Sequence, residues 1–445
     1  MAIKKILEDA REVEVKGEYD VLIVGGGGAG IAASIAAARS GARTLLVERY
    51  GFLGGMATAG MVGSFCGFFT TGTEKKLIVG GIAGSLLERL KERSAVTVKG
   101  VSRVDPRIAS LRFNPELFKF VTEELAVKSG VELLYHSFVT DVAWEQKGSR
   151  LSGVIVENKS GRCALLAKVI VDASGDGDVA FRASVPCEMG DEMGRLQTLT
   201  TMFRMIHVDV EKMHDLTTSV VKEKLEEAVK TGEYGFKRPD GIINPTLPSG
   251  LVSANIVSVP DLIATDAWDL THAEMEGRRQ VLEYIRAFRR FLPGFEHAEL
   301  SSFAPQIGIR ETRRVQGAYV LQEEDVVKGR KFDDAIALGA WPIEMHDPET
   351  RRIKWKFLDK EDDYYTIPIR CLIPRGVENL LVAGRCLSAS HAAHASARVI
   401  GPAFAMGEAA GILAAQSANS NSIPKEISPE EVRKELRQHG AILEA

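Results

Sequence analysis

The run from Asp20 to Glu48, DVLIVGGGGAGIAASIAAARSGARTLLVE, constrains this chain most. Four apolar residues, Val21 to Val24, lead into Gly25, Gly26, Gly27, Gly28, Ala29 and Gly30. An alanine-rich stretch follows, and a second apolar run, Thr44 to Val47, ends in Glu48. The order strand, glycine turn, helix, strand, acid predicts a dinucleotide-binding unit. Gly25 permits a tight turn, Gly27 lets backbone approach a pyrophosphate, and Gly30 lets the helix pack closely on the strand. The free N–H groups and dipole of the helix N-terminus favour the pyrophosphate. Glu48 falls near the expected distance, about 20 residues beyond the glycines, where an acid binds a ribose hydroxyl.

The 445 residues suffice for two packed domains, or one large domain with an insertion. A net charge of −4 gives no electrostatic case for nucleic acid or an anionic membrane. No apolar run reaches the roughly 18 residues of a membrane span. The charged N-terminus lacks an apolar signal core, so a cytoplasmic location is the expectation. The cysteines, Cys66, Cys163, Cys187, Cys371 and Cys386, are scattered and form no CxxC. Neither a disulfide framework nor a metal site is expected.

Farther along, Gly51 to Gly72 is rich in glycine and small residues yet carries Phe52, Leu53, Phe65, Phe68 and Phe69. A surface loop would leave those rings in water, so close approach to a ligand is the better reading. The stretch Leu77 to Leu90 resembles a second nucleotide motif, but Val79 stands at the first glycine position; it reads as a helix entry. Asn114 caps a helix with Pro115 in its first turn, running to about Lys128. The next segments read as a β-meander closing on an apolar strand, Lys168 to Val171, followed by Asp172, Ala173, Ser174 and Gly175. From about Pro186 to Pro368 helical stretches (Val210 to Thr231, Leu270 to Arg290) mix with irregular runs. The strand-to-helix pattern returns in NLLVAGR, Asn379 to Arg385, and a small-residue helix from about Pro402 to Ser417.

The expected fold is therefore α/β. A Rossmann-type domain, parallel sheet plus β-meander, is built from residues 15–185 and 369–445, and an α+β substrate domain, 186–368, is inserted between them.

With these segments in view, the chain resembles FAD-dependent oxidoreductases of the glutathione-reductase-type Rossmann superfamily. It is similar to bacterial members that share the glycine-rich start, an IGIRETRR segment (residues 307–314) and a NLLVAGR…GEAAG end. The resemblance implies FAD as cofactor. It implies that Gly25, Gly27, Ala29 and Gly30 hold the pyrophosphate. Glu48, with Arg49 beside it, binds the adenosine ribose. Gly54, Gly55, Met56 and Ala57 run along the pyrophosphate and flavin, and Val139 meets adenine through its backbone. Ala173, Ser174 and Gly175 match an Ala-Thr-Gly turn, with serine for threonine. Gly384 and Arg385 stand where Gly-Asp is usual near the ribityl chain, and arginine there puts direct ribityl contact in question. Arg398, Val399, Ile400 and Gly401 lead into a helix whose N-terminus faces the flavin pyrimidine edge. There a helix dipole stabilises reduced flavin. The chain shows neither the redox cysteine pair of disulfide reductases nor a second complete nucleotide motif.

Several residues are candidates for chemistry. His391 or His394, among small residues, is placed to take the substrate proton; alternatively both are buried structural histidines or flavin contacts. Arg310, with apolar Ile307 and Ile309 beside it, is a candidate clamp for a carboxylate or hydroxylated substrate. His346 is a weaker candidate, and Cys66 is a candidate for covalent flavin attachment. The expected activity is oxidation of a small polar metabolite, at a C–H next to a hydroxyl or amine, by hydride transfer to flavin N5. Oxygen, a quinone or a carrier protein would accept the electrons. The alternatives are a reductase of an activated C=C bond with Arg310 as anion clamp, an FAD-bearing electron-relay subunit without turnover, and a nicotinamide-only dehydrogenase. The direction of reaction, the electron acceptor and homo-oligomerisation are left open.

Overall fold

In the computed structural model, residues 11–445 are described except 98–99, 103–104, 146–147, 237, 248–249 and 351. The strand Glu14–Val24 is apolar on both faces at its end, because both faces are covered. Val21 and Ile23 point into one core and Leu22 and Val24 into the other. Thr44–Val47 repeats the pattern, with Leu46 on the first side and Leu45 and Val47 on the second. These strands pair in parallel, Val21 opposite Thr44 and Val24 opposite Val47. The sheet order runs from Glu132–Leu134 through Thr44–Val47 and Glu14–Val24 to Gly161–Asp172, all parallel.

Gly161–Asp172 plays two parts. Its first half pairs antiparallel with Leu151–Asn158, which pairs antiparallel with Phe138–Trp144; this is the meander. Its last residues, Ile170 to Asp172, pair in parallel with Leu380–Val382. The C-terminal strand thus enters the sheet where the meander peels away.

On one face, the helix Gly28–Arg39 packs against the long late helix Ile400–Ser420. Both are built of small residues, so their backbones come close. A Cβ at Gly407 would lie 2.1 Å from the Ala29 carbonyl oxygen, and one at Gly411 would lie 2.2 Å from that of Ala33. The aromatic segment Gly51 to Gly72 joins this core. Phe65 packs on Phe113 with ring centroids 4.4 Å apart, and Phe113 on Phe118 at 4.8 Å. The helix over 115–128 is capped by Asn114, whose side chain accepts from Glu116 N–H and Leu117 N–H.

A second core lies under a four-stranded antiparallel sheet, ordered Ile242–Pro245, Val252–Asn255, Phe203–Ile206, Glu299–Phe303. The long helix Ala267–Phe291 and the helix Thr218–Lys230 supply its other side. The expected helix from Val210 thus begins later, at Thr218. The buried apolar residues of this core run from Leu199 to Ile309. Leu321, Ile336, Leu338, Tyr365 and Ile367 belong instead to the core around Gly28–Arg39 and Ile400–Ser420. The segment expected as one insert, 186–368, is therefore divided between two cores, because the hairpin of Ala335–Gly339 and Tyr365–Pro368 packs on the helix Ile400–Ser420. Among the described residues no single helix is long and apolar enough to cross a membrane.

Candidate active site

One cavity runs from the glycine turn to the four-stranded sheet. Its first end is built by the turn itself. Gly25 has φ +97°, and a Cβ there would meet the Ala173 carbonyl oxygen at 2.5 Å, so only glycine fits. Gly26 N–H donates to Glu48 Oε2 at 2.6 Å, and Tyr50 N–H to Oε1 at 2.8 Å. The buried Glu48 thereby ties the turn to the end of the second strand. Burial raises its carboxyl, while these amide bonds and Arg49 pull it back. Gly27 opens toward the cavity: a Cβ there would meet only Gly55, at 3.9 Å. The helix that follows begins at Gly28 with no side-chain cap, so its first N–H groups are free for an anion. Arg49, held by Gln306 Oε1 at 2.8 Å, adds a cation at this end.

Of the residues expected to hold the cofactor, Gly25, Gly27, Ala29, Glu48, Arg49, Gly54, Gly55, Met56, Ala57, Ala173, Ser174, Gly175, Gly384, Arg385, Arg398, Val399 and Ile400 line the cavity. Three others do not. Gly30 packs behind the turn, where a Cβ would lie 1.8 Å from the Gly25 carbonyl oxygen. Gly401 packs on the Cys66–Gly67 loop, 2.4 Å from the Gly67 carbonyl oxygen by the same measure. Val139 lies in the meander against the second face of the sheet.

Arg385 lines the cavity but spends its donors on the protein. Nε donates to Gly175 O at 2.9 Å, Nη1 to Ile309 O at 3.0 Å and Nη2 to Asp176 Oδ1 at 2.6 Å. It fastens three segments together, a positioning role rather than the ribityl contact that its place in the sequence brings to mind.

The two histidine candidates lie outside the cavity lining. His394 is fully buried, and its Nε2–H donates to the Arg385 carbonyl at 2.7 Å. Burial pushes its pKa down to about 3, so it stays neutral. His391 Nδ1 is 2.8 Å from Glu311 Oε1. Glu311, itself buried, also pairs with Arg314. Burial works to raise the Glu311 carboxyl, but the His391 bond and the Arg314 charge hold it below the ordinary range. Each ring meets one of the protein's own groups, because the short helix His391–Ala397 turns them toward Arg385 and Glu311.

Arg310 does line the cavity. Its segment pairs with Thr200: Gly308 N–H donates to the Thr200 carbonyl at 2.7 Å. Arg310 Nη1 donates to Thr198 O at 2.6 Å and Nη2 to Asn255 Oδ1 at 3.4 Å. Burial and the charges of Arg238 and Arg398 push its pKa well down. His346, also buried, does not line the cavity and sits 2.9 Å from Glu344 Oε1. Glu344 does line it, and Trp341 Nε1 donates to its Oε2 at 2.9 Å. Burial opposes its charge, yet the His346 and Trp341 hydrogen bonds and Arg398 bring the Glu344 carboxyl down to about 2. Cys66 lines the cavity as a protonated thiol, pushed up to about 12 by burial and by Glu344.

Sequence reading missed the far wall. Along Phe203–Ile206, Phe203 and Met205 enter the core while Arg204 lines the cavity. Along Val252–Asn255, Val252 and Ala254 enter the core while Ser253 and Asn255 face the cavity. In the neighbouring strand Ile243 is core and Asn244 lines the cavity. The period-2 alternation of a half-buried strand is the signal, spread over three four-residue strands.

Comparison with known proteins now bears on this geometry. Residues 20–436 match the family described as FAD dependent oxidoreductase. Thiamine thiazole synthase of Saccharolobus islandicus (strain L.S.2.15) is 30% identical over 182 residues, 39% of this chain and 60% of the relative. That of Sulfolobus acidocaldarius is 31% identical over 192 residues, 41% of this chain and 64% of the relative. The matches thus span less than two thirds of these curated relatives. Among solved structures, a geranylgeranyl bacteriochlorophyll reductase-like protein from Thermoplasma acidophilum is 15% identical with a TM-score of 0.48, covering 95% of this chain and 84% of that one. The p-nitrophenol 4-monooxygenase of Pseudomonas putida is 12% identical with a TM-score of 0.49, with the same coverage.

Proposed function

Since the chain belongs to the FAD-dependent oxidoreductase family, we propose that it oxidises a small polar metabolite at a C–H next to a hydroxyl or amine, with hydride transfer to flavin N5. FAD is the cofactor, and the residues present fit it. The open side of Gly27, the uncapped start of Gly28–Arg39 and Arg49 suit its pyrophosphate. The helix Ile400–Ser420, which has no side-chain cap though Gly401 N–H donates to Cys66 O, offers a second N-terminus at the cavity, suited to the charge of reduced flavin. When bound, FAD supplies the hydride acceptor. The finer placement, in the glutathione-reductase-type superfamily, is supported by the strand order and by the meander leaving the sheet at Gly161–Asp172.

One observation carries the substrate reading: the cavity continues from the glycine turn to the polar face of the four-stranded sheet. Thr200, Asn244, Ser253 and Asn255 offer hydroxyls and amides there, and Arg310 a cation. These groups bind and orient a polar molecule beside the cofactor cradle. The same Arg310 serves the reverse direction, reduction of an activated C=C bond.

The test is anaerobic mixing of the FAD-loaded protein with sugars, polyols, amino acids and hydroxy acids. Bleaching of the flavin by one class supports oxidation. Reoxidation of pre-reduced protein by an unsaturated acid supports the reverse reaction. Flavin that responds to a protein partner and to no small molecule overturns both.

A further inference from the structure

We propose that the sheet end of the cavity is a carboxylate-binding site centred on Arg204, and that the substrate is a small organic acid. The proposal rests on the reading above that the substrate sits on this sheet face.

Arg204 stands in register opposite Ser253 on one side and Ser302 on the other, in the middle of the four-stranded sheet. It is 8% exposed and lines the cavity. Among the described residues its side chain has no hydrogen-bond or ion-pair partner. Burial pushes its pKa down, and Glu116 is the acid that counters this. A guanidinium stays charged in proteins, and a buried charge without a partner is costly. Its neighbours Phe203 and Met205 are anchored in the core beneath, so the chain cannot turn Arg204 to solvent without losing them. A bound anion relieves that cost.

Arg112, Arg310 and Arg398 line the same cavity, whose lining carboxylates are Glu344 and, at the glycine turn, Glu48. Glu344 is already engaged by Trp341 and His346. Arg398 Nε is buried without a partner. Arg49 stands at the other end, by the glycine turn, where it would serve the cofactor.

The donors select the kind of anion. Phosphate is typically cradled by free backbone N–H groups at a helix N-terminus or nest. Here the backbone of Phe203–Ile206 is paired on both sides within the sheet. What faces the ligand is a set of side chains: the planar fork of Arg204 with the amides and hydroxyl of Asn244, Asn255 and Ser253. A planar fork matches the two oxygens of a carboxylate.

The test titrates FAD-loaded protein with L-malate, succinate and L-glutamate, with their dimethyl esters, and with glycerol 3-phosphate. Binding is read by the visible flavin spectrum and by tryptophan fluorescence, since Trp341 and Trp355 line the cavity. At least one acid should bind and its ester should not. Arg204→Gln should weaken that acid about 100-fold, and Arg204→Lys by less, with flavin content unchanged. Equal binding of acid and ester, binding of the phosphate ester alone, no binding of any acid at millimolar concentration, or wild-type affinity in R204Q overturns the proposal. Should R204Q lose its flavin, R204K decides, and unchanged acid affinity there overturns it. The two readings fail separately. A neutral polyol or amine that bleaches the flavin while no acid binds sinks the carboxylate site alone. An acid bound through Arg204 that never bleaches the flavin sinks hydride transfer alone.

Discussion

Arg385 Nη2 lies 2.6 Å from Asp176 Oδ1, and both side chains are nearly out of solvent, at 12% and 7% exposure. The pair joins the end of the central strand to the segment after the C-terminal strand. Through Nη1 and Ile309 O it also reaches the segment that carries Arg310. Removing the arginine leaves Asp176 with the Thr312 hydroxyl, 2.8 Å away, as its remaining side-chain partner. It also frees two carbonyl groups.

We therefore expect Arg385→Ala to cost about 3 kcal/mol of stability or more, the scale for breaking a buried ion pair from one side. Arg385→Lys keeps the charge but loses the fork and should fall between. Urea unfolding measures the first effect, and flavin release on dilution measures the loosening of the cavity. Unfolding unchanged within about 0.5 kcal/mol would mean that the lock is ornamental.

The histidines are predicted to hold structure rather than move the substrate proton. A general base contributes roughly 10²- to 10⁴-fold. Replacing His391 by Ala should change the rate of flavin reduction by less than about tenfold, while lowering the melting temperature. A loss in the range of a general base, with unchanged melting, would restore His391 as the base.

Much of the nucleotide-binding half was legible because its signals are local. The helix over 28–39 follows directly on its glycines, and Asn114 with Pro115 announces the helix they begin. The two-sided burial of Val21 to Val24 shows as an unbroken apolar run. The far wall was not legible. Arg204, Asn244 and Asn255 come from separate strands of four residues, too short to display a period. Their shared face exists only once those strands are in register. The partners of the histidines were not legible either: small neighbours suggested room near a ligand, and Glu311 and the Arg385 carbonyl lie against the rings.

Glu408 should make stability depend on pH. It lies in the helix Ile400–Ser420, 2% exposed, with Oε2 accepting from Ile82 N–H at 3.0 Å and Oε1 unpartnered. Burial, partly offset by the Ile82 bond and by Arg39, raises its pKa from 4.5 to about 7. The folded state thus binds this proton more tightly than the unfolded chain. The stability it contributes is full below pH 4.5 and is lost as pH rises to about 7, with no further change above. Glu408→Gln, neutral at every pH, should lack this slope. It should exceed the wild type at pH 8 by an amount on the order of 3 kcal/mol relative to their difference at pH 4. Parallel pH–stability curves for the two proteins would refute the assignment.

The small-residue helices Gly28–Arg39 and Ile400–Ser420 also meet backbone to backbone at Gly411. Alanine at position 411 brings two opposed effects. Exchanging glycine for alanine inside a helix gains about 1 kcal/mol of propensity. The new Cβ, however, would sit 2.2 Å from the Ala33 carbonyl oxygen, a backbone atom that cannot swing aside. The helices must separate instead. That opens the packing of Gly28–Arg39, whose N-terminus lines the cavity. Overpacking typically costs 1–3 kcal/mol and here the obstacle is backbone, so the steric effect should win by roughly 1–2 kcal/mol. Gly411→Ala should lower the urea midpoint and weaken FAD retention together. Gly84→Ala is the control, because a Cβ there meets nothing within 4 Å and only the propensity gain remains. If the variant at 411 were as stable as that control, close packing of these helices would not be what holds this end of the cavity in place.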